Sequence, residues 1–537
     1  MNEIYLKNVT LSNLWKRNAA ECPDKVALVD SKTRLTWQAA DIWIDRLALG
    51  LIEKNFNKND VLVVQLPNCV FLNLFRVACE RAGCLCLPLN IAFRRKEQEY
   101  TLRFVNAKGV VIPHEFRNFN FLEAINTLSR KIESLKHIFV VGDPAPEGAI
   151  SVENMVSDPI EKRYPENFLE RTQCSAMEFS TIMTTTGTTG FPKFVEYPIC
   201  SRMQVAKELS EKWEFTDQDV VAILAPSGGG PNVAGYLAAP LVKAGVVILE
   251  HFDSEEALNA IANERVTIVT AVPTMLIKMI AHPDFKNYDL TRLRLIVSAG
   301  ASIPFETAQK VEKMMGAPIV QFYGSVDSAL NYVTLPKDSQ EVRLRTVGKL
   351  AGKIDVQLID DEGAAVSEGE TGEIVCRCRG EFSGYFNDMR STLQAWDADG
   401  WFRMGDLGRL DEQGNMRIVG RKKDMIIRGG QNIFPFEIED MLSAHSKIRD
   451  VSIIGIPDRE MGERACACIV ANCRDEKISL KEIVAFLKQK GVSAYKLPER
   501  IEIIDQMPMV AGGQKKDKKA LVHRVLGKMK AEGINLL

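Results

Sequence analysis

Short apolar runs and longer amphipathic segments alternate along most of the chain. VLVVQLP (61–67) reads as a strand, FLNLFRVACERAG (71–83) has helical spacing, and CLCLPLN (84–90) is strand-like again. The rhythm returns at VVAILAP (220–226), GYLAAPLVKAG and VVILE, then at VTIVTAVP (266–273) and LRLIVSAG (293–300). Runs apolar on both faces, separated by helical segments, predict parallel sheets covered by helices. Such doubly wound sheets hold ligands where their strands end. The texture changes near residue 340. KIDVQLIDDEGAAVSEGETGEIVCR reads as two alternating strands around a turn, and 408–430 as a hairpin about Glu412-Gln413-Gly414-Asn415. Beyond a charged stretch come a helix pattern (FEIEDMLSAHSKI), two strands (VSIIGIPD, ACACIVAN), a second helix (SLKEIVAFLKQKG) and a Lys-rich tail. The expected fold is α/β: a large N-terminal body (1–420) of doubly wound sheets with a β-rich subdomain, then a small α+β unit (421–537). The boundary falls at Arg421 to Asp424.

Composition narrows the class. A length of 537 residues implies about three or four lobes at ~150 residues each. With 46% hydrophobic residues the chain can build sizeable cores, which excludes a mostly disordered protein. Sixty-eight Lys plus Arg nearly cancel 70 Asp plus Glu, so no global signature of a nucleic-acid binder exists. Six scattered histidines and no C-x-x-C pair argue against a metal cluster. Three C-x-C pairs (Cys84/Cys86, Cys376/Cys378, Cys466/Cys468) put both thiols on one strand face, where buried cysteines act as small hydrophobes. The N-terminus lacks a signal-peptide pattern, and no apolar stretch approaches the ~20 residues that span a bilayer. A reduced, cytoplasmic protein is expected, monomeric or homodimeric.

Candidate chemistry begins at Thr181-Ile-Met-Thr-Thr-Thr-Gly-Thr-Thr-Gly-Phe-Pro-Lys193. Thr184, Thr185, Thr186, Gly187, Thr188, Thr189 and Gly190 form a hydroxyl-rich loop whose N–H and O–H donors can surround phosphate oxygens, and Lys193 adds a positive charge. Its spacing is not that of the P-loop G-x-x-x-x-G-K-[ST]. Four further segments follow in order: Ser298-Ala-Gly300-Ala301-Ser302, Gln321-Phe322-Tyr323-Gly324-Ser325-Val-Asp327, Trp401-Phe-Arg-Met-Gly-Asp406, and Gly420-Arg421-Lys-Lys-Asp-Met-Ile-Ile-Arg-Gly-Gly-Gln-Asn432.

These five ordered segments resemble the signatures of the adenylate-forming superfamily, the acyl- and aryl-CoA synthetases, adenylation domains and luciferases, over nearly the whole chain. The resemblance implies ATP-dependent activation of a carboxylic acid to an acyl- or aryl-adenylate, followed by transfer to a pantetheine thiol. Two anions must meet, so charge neutralisation and in-line positioning carry the catalysis. It further implies that the 184–193 loop holds pyrophosphate, and that Gly300, Ala301, Ser302, Phe322, Tyr323, Gly324 and Ser325 line the adenine side. Asp406 and Arg421 then serve the ribose, Ile418 belongs to the ATP site, and Asp327, where the family has Glu, ligates Mg²⁺.

The C-terminal unit is implied to be a mobile lid, hinged near Lys423, that supplies a catalytic lysine; Gly429 and Gly430 are implied to line the thiol tunnel. Counting forward from Pro508 puts the lysine position on Gln514, and counting back from Lys518-Lys519-Ala520-Leu521 puts it on Lys515; Lys515 is the expected catalytic residue. A basic tail (Lys515, Lys516, Lys518, Lys519) suits an anionic partner.

The texture is similar to stand-alone aryl-acid adenylating enzymes at Ala329-Leu-Asn-Tyr-Val-Thr, Asp458-Arg-Glu-Met-Gly-Glu-Arg464 and Val492-Ser-Ala-Tyr-Lys-Leu-Pro-Glu-Arg500. Pro226-Ser-Gly-Gly-Gly-Pro-Asn232 takes the place of their P-x-A-H-N loop, with Gly229 and Gly230 for its His and Asn. That exchange argues against a dihydroxybenzoate and for a bulkier or less polar aryl or acyl acid. Gly229, Gly230, Asn232, Gly235, Ser302, Ser325 and Leu330 are the expected acid-lining residues, and no cationic anchor of the kind used for dicarboxylates is evident. The acceptor is coenzyme A or the phosphopantetheine of a separate carrier protein acting in trans. The alternative is a degenerate nucleotide-binding or regulatory homologue, because Gln514, Val326 and Asp327 depart from the pattern.

Overall fold

The computed structural model describes residues 9–142, 147–185, 191–225, 232–328, 330–377, 384–473, 477–510 and 516–533. Two large mixed sheets make the body. In the nine-stranded sheet, six neighbouring strands run parallel in the order Ile319–Gly324, Leu295–Ala299, Ile268–Ala271, Val220–Ile223, Gly245–Ile248 and Val26–Val29, and antiparallel strands close its two edges. In the eight-stranded sheet, Phe179–Thr184, Leu85–Pro88, Val61–Val64, Gly109–Pro113, His137–Val141 and Ile150–Ser151 are parallel, with Phe194–Pro198 and Gly384–Tyr385 antiparallel at one edge. Every residue of Val61–Val64 and Leu295–Ala299 is buried, as expected of strands covered on both faces by helices.

The helix Val70–Ala82 is buried along its length and ends on Gly83, whose φ of +80° is the left-handed cap glycine tolerates. A Cβ there would stand 2.3 Å from the Thr172 carbonyl oxygen. After the Val220–Ile223 strand, the chain enters a π-helical turn at Ala234–Ala238 before a short α-helix, Ala239–Leu241. Wide turns of this kind occur mostly as single interruptions at functional positions.

The β-rich subdomain is a four-stranded antiparallel sheet, Asp355–Ile359, Gly372–Arg377, Phe402–Leu410 and Met416–Arg421. Its last hairpin turns at the expected Glu412–Asn415 positions. A 3₁₀ turn, Lys422–Asp424, leads to the C-terminal sheet of Gln431–Ile433, Ile426–Arg428, Gly462–Ala471 and Ile448–Asp458, with Arg500–Ile503 parallel to Gly462–Ala471. Arg421, expected at the start of the C-terminal unit, is the last residue of a body strand. Cys466 and Cys468 lie together under the helix Lys518–Ala531, both fully buried, which is the one-face placement that period-2 spacing predicts. The C-terminal unit and the body are bridged by the ion pair Lys490–Glu306 at 3.9 Å. No helix among the described residues is long and apolar enough to cross a membrane.

Candidate active site

Of the expected nucleotide residues, Tyr323, Asp406, Ile418 and Arg421 come together where the antiparallel subdomain packs against strands of the two large sheets. The antiparallel register sets Asp406 opposite Arg421. The Asp406 carboxylate is buried: the Tyr323 hydroxyl donates a hydrogen bond to Oδ2 at 2.7 Å, and Arg421 Nε forms an ion pair with Oδ1 at 3.0 Å. Tyr323 sits near the end of the strand Ile319–Gly324. Burial and the Asp406 charge push its phenol well above the ordinary tyrosine value, so it remains a neutral donor. Ile418 and Tyr323 pack on the same apolar cluster. A carboxylate accepts about four hydrogen bonds, so Asp406 keeps room for two more donors.

Asp327 is held the same way on the neighbouring loop. The Tyr385 hydroxyl donates to Oδ1 at 2.8 Å and the Ser325 hydroxyl to Oδ2 at 3.2 Å, while Ser325 Oγ accepts the Asp327 N–H at 3.1 Å. The Tyr197 hydroxyl donates to the Val326 carbonyl. Gly324 permits the turn to close, since a Cβ would lie 2.5 Å from the Leu330 carbonyl oxygen. Lys193 Nζ stands 4.3 Å from the centre of the Tyr385 ring, a cation–π contact that brings the phosphate-loop lysine beside Asp327's partner. Thr184 closes the strand Phe179–Thr184, and the Thr185 N–H donates to the Lys193 carbonyl at 2.9 Å, tying together the ends of the 184–193 segment. Thr186 to Gly190 lie outside the described residues. Gly300 (φ +84°), Ala301 and Ser302 form an exposed turn after the strand Leu295–Ala299, and Phe322 is half-buried against Trp213.

A cleft of about 330 Å³ lined by Met404, Gly405, Arg421, Lys422 and Lys423 opens beside this cluster. Lys422 is paired to Asp361 and Glu373, both at 2.9 Å, whereas Lys423 is exposed. Gly429 and Gly430, both with positive φ, form the two-residue turn of the hairpin Ile426–Arg428/Gln431–Ile433. That turn type by itself favours glycine at both places.

The acid-lining residues divide. Gly229 and Gly230 lie outside the described residues. The Asn232 amide donates to the Ala225 carbonyl at 3.0 Å, which the Asn68 amide also reaches at 2.8 Å. A Cβ on Gly235 would stand 2.4 Å from Ile223, and Leu330 is fully buried in the cluster that carries Tyr323. Lys515 and Gln514 also lie outside the described residues. Of the basic tail, Lys516 pairs with Asp450 at 2.6 Å and Lys518 with Glu439 at 2.9 Å. Those two charges, expected to suit an anionic partner, are engaged within the C-terminal unit. Tyr385 and Tyr197 were not foreseen. Neither lies in one of the five segments, and only the pairing of Phe194–Pro198 with Gly384–Tyr385 brings them to Asp327.

As donors for a divalent cation, the described residues offer no group of three or more His, Cys, Asp or Glu side chains. The single carboxylate of Asp327, with both oxygens oriented by hydroxyls, fits Mg²⁺, which is usually held by one or two carboxylates plus phosphate oxygens and water.

The profile of the AMP-binding enzyme family matches residues 15–386, and that of the AMP-binding enzyme C-terminal domain matches 437–514. A medium-chain fatty-acid–CoA ligase of Escherichia coli is 29% identical over 510 residues, covering 94% of this chain and 89% of the relative. A putative acyl-CoA synthetase of Bacillus subtilis is 30% identical over 532 residues, covering 94% and 95%. Among solved structures, an anthranilate CoA ligase in complex with anthranoyl-AMP superposes with a TM-score of 0.88 at 23% identity, covering 99% of this chain and all of that one.

Proposed function

Because this chain belongs to the AMP-binding enzyme family, and is an AMP-forming acid–thiol ligase that activates a carboxylic acid with ATP, we propose that it joins an aryl or acyl acid to free coenzyme A. The observation that carries the site assignment is the convergence of Tyr323, Asp406 and Arg421, from separate strands, on one buried carboxylate with acceptor capacity to spare. In this reading Asp406 takes the two ribose hydroxyls, Arg421 reaches the same sugar, and Tyr323 lies against the adenine face. The acid's carboxylate oxygen attacks the α-phosphorus; an acyl–phosphate bond forms and the bond to pyrophosphate breaks. The 184–193 loop and Lys193 hold the departing pyrophosphate, and Lys515 bridges the attacking carboxylate and the α-phosphate. Asp327 would hold Mg²⁺, which would supply charge neutralisation at the triphosphate. The lid then turns about Lys423, the thiol loses its proton and attacks the acyl carbon past Gly429 and Gly430, and AMP leaves.

Free coenzyme A is favoured as acceptor because the relatives named above are CoA ligases. Dependence on ATP and coenzyme A goes with a cytoplasmic location. Acid-dependent exchange of labelled pyrophosphate into ATP tests the first half. Thioester formation with coenzyme A, compared with a holo-carrier protein, tests the second. Thioester on the carrier alone would refute the acceptor assignment, and no exchange across a broad acid panel would refute the activity at these residues.

A further inference from the structure

Two arginines are buried in the body with no acidic partner. Arg76, on the helix Val70–Ala82, is 3% exposed and Arg202, on the helix Ile199–Lys212, is 7% exposed. Among the described residues neither forms an ion pair, and Arg76 Nε and Nη1 and Arg202 Nη2 have no hydrogen-bond acceptor. Both guanidinium groups gather at one ring: Tyr236, whose centre lies 4.1 Å from Arg76 Cζ and 5.7 Å from Arg202 Cζ. Tyr236 belongs to the π-helical turn Ala234–Ala238 that directly follows Asn232 and Gly235.

Burying a guanidinium is unfavourable unless a charge or several acceptors replace the lost water. An aromatic face replaces only part of that. Glu80, a carboxylate whose charge interacts with Arg202, has one oxygen taken by the Ser12 N–H and the other by the Ser180 hydroxyl, both at 2.8 Å, and its burial raises its pKa toward the neutral acid. Among the described residues, the thiol of Cys86 also interacts with both arginines. Burial opposes its ionisation, while a bond from Cys79 and the two guanidinium charges pull it down. A thiolate there would supply one negative charge to two cations. The count stays one anion short.

We propose that Arg76 and Arg202, with Tyr236 beneath them, bind a second carboxylate at the far end of the acid substrate, so that this enzyme selects dicarboxylic acids over their monocarboxylic counterparts. The inference rests on the acid-activating function and narrows its substrate class. It also supplies the cationic anchor that the sequence does not reveal, because the two arginines come from helices well outside the 226–232 segment. A planar guanidinium pairs a carboxylate through two N–H groups, and two of them converging from different helices fix its orientation.

The test uses the intact enzyme and matched acid pairs, hexanoate with adipate and benzoate with isophthalate. In pyrophosphate exchange, kcat/KM for at least one dicarboxylate is expected to exceed that of its partner by about ten-fold or more, the worth of one or two charge-assisted bonds. Arg76→Met and Arg202→Met are each expected to collapse that ratio. A ratio near one in the wild type for both pairs, or one unmoved by both variants, overturns the inference and leaves acid activation standing. Melting temperature reads the same site without turnover. The favoured dicarboxylate should raise it in the wild type and not in Arg76→Met. An equal rise with inorganic phosphate would overturn the substrate assignment. A rise specific to the dicarboxylate, with exchange silent for every acid, would support the site and refute the activity instead. Without ligand, Arg76→Met should melt no lower than the wild type, because it removes an uncompensated charge; a sharp fall would mean the guanidinium is paired within the chain and would also overturn the proposal.

Discussion

Replacing Asp406 by Asn tests the nucleotide site where its geometry is best defined. The side chain keeps its shape but loses its charge and one of its two acceptor oxygens. In the free enzyme the Tyr323 hydroxyl bond, 2.7 Å and largely buried, is charge-assisted and contributes about 1.5–3 kcal/mol. The Arg421 pair adds less, about 1 kcal/mol at most, because the Arg421 side chain is 43% exposed and water screens it. An Asn oxygen can still accept the tyrosine, so the net loss of stability is expected at about 1–2 kcal/mol. Toward ATP the change is larger in proportion. Two ribose hydroxyls that met a carboxylate now meet an amide with one acceptor, a loss of about 1.5–3 kcal/mol, or roughly 10- to 150-fold in kcat/KM for ATP. The assay is pyrophosphate exchange at saturating acid, with ATP varied, beside a thermal melt. The KM for ATP should rise while the KM for the acid stays within about two-fold, an order-of-magnitude bound since the acid makes no contact with Asp406 in this scheme. A lowered melting temperature with an unchanged KM for ATP would refute the reasoning, since Asp406 would then only hold Tyr323 and Arg421 in place.

Tyr385→Phe removes the hydroxyl that orients Asp327 without touching the carboxylate itself. The Mg²⁺ concentration for half-maximal exchange should rise by about 10- to 100-fold, the usual cost of losing a residue that orients a metal ligand, with KM for the acid unchanged; chelation of Mg²⁺ should abolish exchange in both proteins. Lys515→Ala should lower the adenylation rate by about 10²–10³ while Gln514→Ala stays near wild type, and the reverse pattern would assign the catalytic position to residue 514. Asp219, 3% exposed in its side chain, binds Arg294 through two bonds of 2.7 and 2.8 Å. Burial raises its pKa, but Arg294, Thr267 and the Thr216 N–H outweigh that and hold it below the ordinary carboxylate value. Its stabilisation is therefore present above the unfolded value of about 3.9 and is lost as pH falls through the lower folded value. Asp219→Asn should melt lower than wild type by a constant margin above about pH 5, and the margin should shrink below about pH 4.

The parts of this protein legible from sequence are those written in local periodicity and in contiguous segments. Runs such as VLVV and LIVSA announce buried parallel strands because a strand covered on both faces has no polar position to spare. The 184–193, 321–327, 401–406 and 420–432 segments are legible as family signatures because each carries its pattern within thirteen contiguous residues. What joins them is not local. The Tyr323–Asp406 bond spans 83 residues and the Tyr385–Asp327 bond 58, and nothing in either neighbourhood specifies the other. Only packing decided that Asn232 bonds the Ala225 carbonyl, and that Lys516 and Lys518 pair with Asp450 and Glu439 within the C-terminal unit. Arg76 is the clearest case. In sequence it is one cation in an apolar helix, indistinguishable from one that reaches water; in the fold it is buried beside Arg202 and Tyr236 with donors unmet. Periodicity reports which face of an element is apolar, whereas the burial of a charge and the identity of its neighbours depend on which elements come to lie against it.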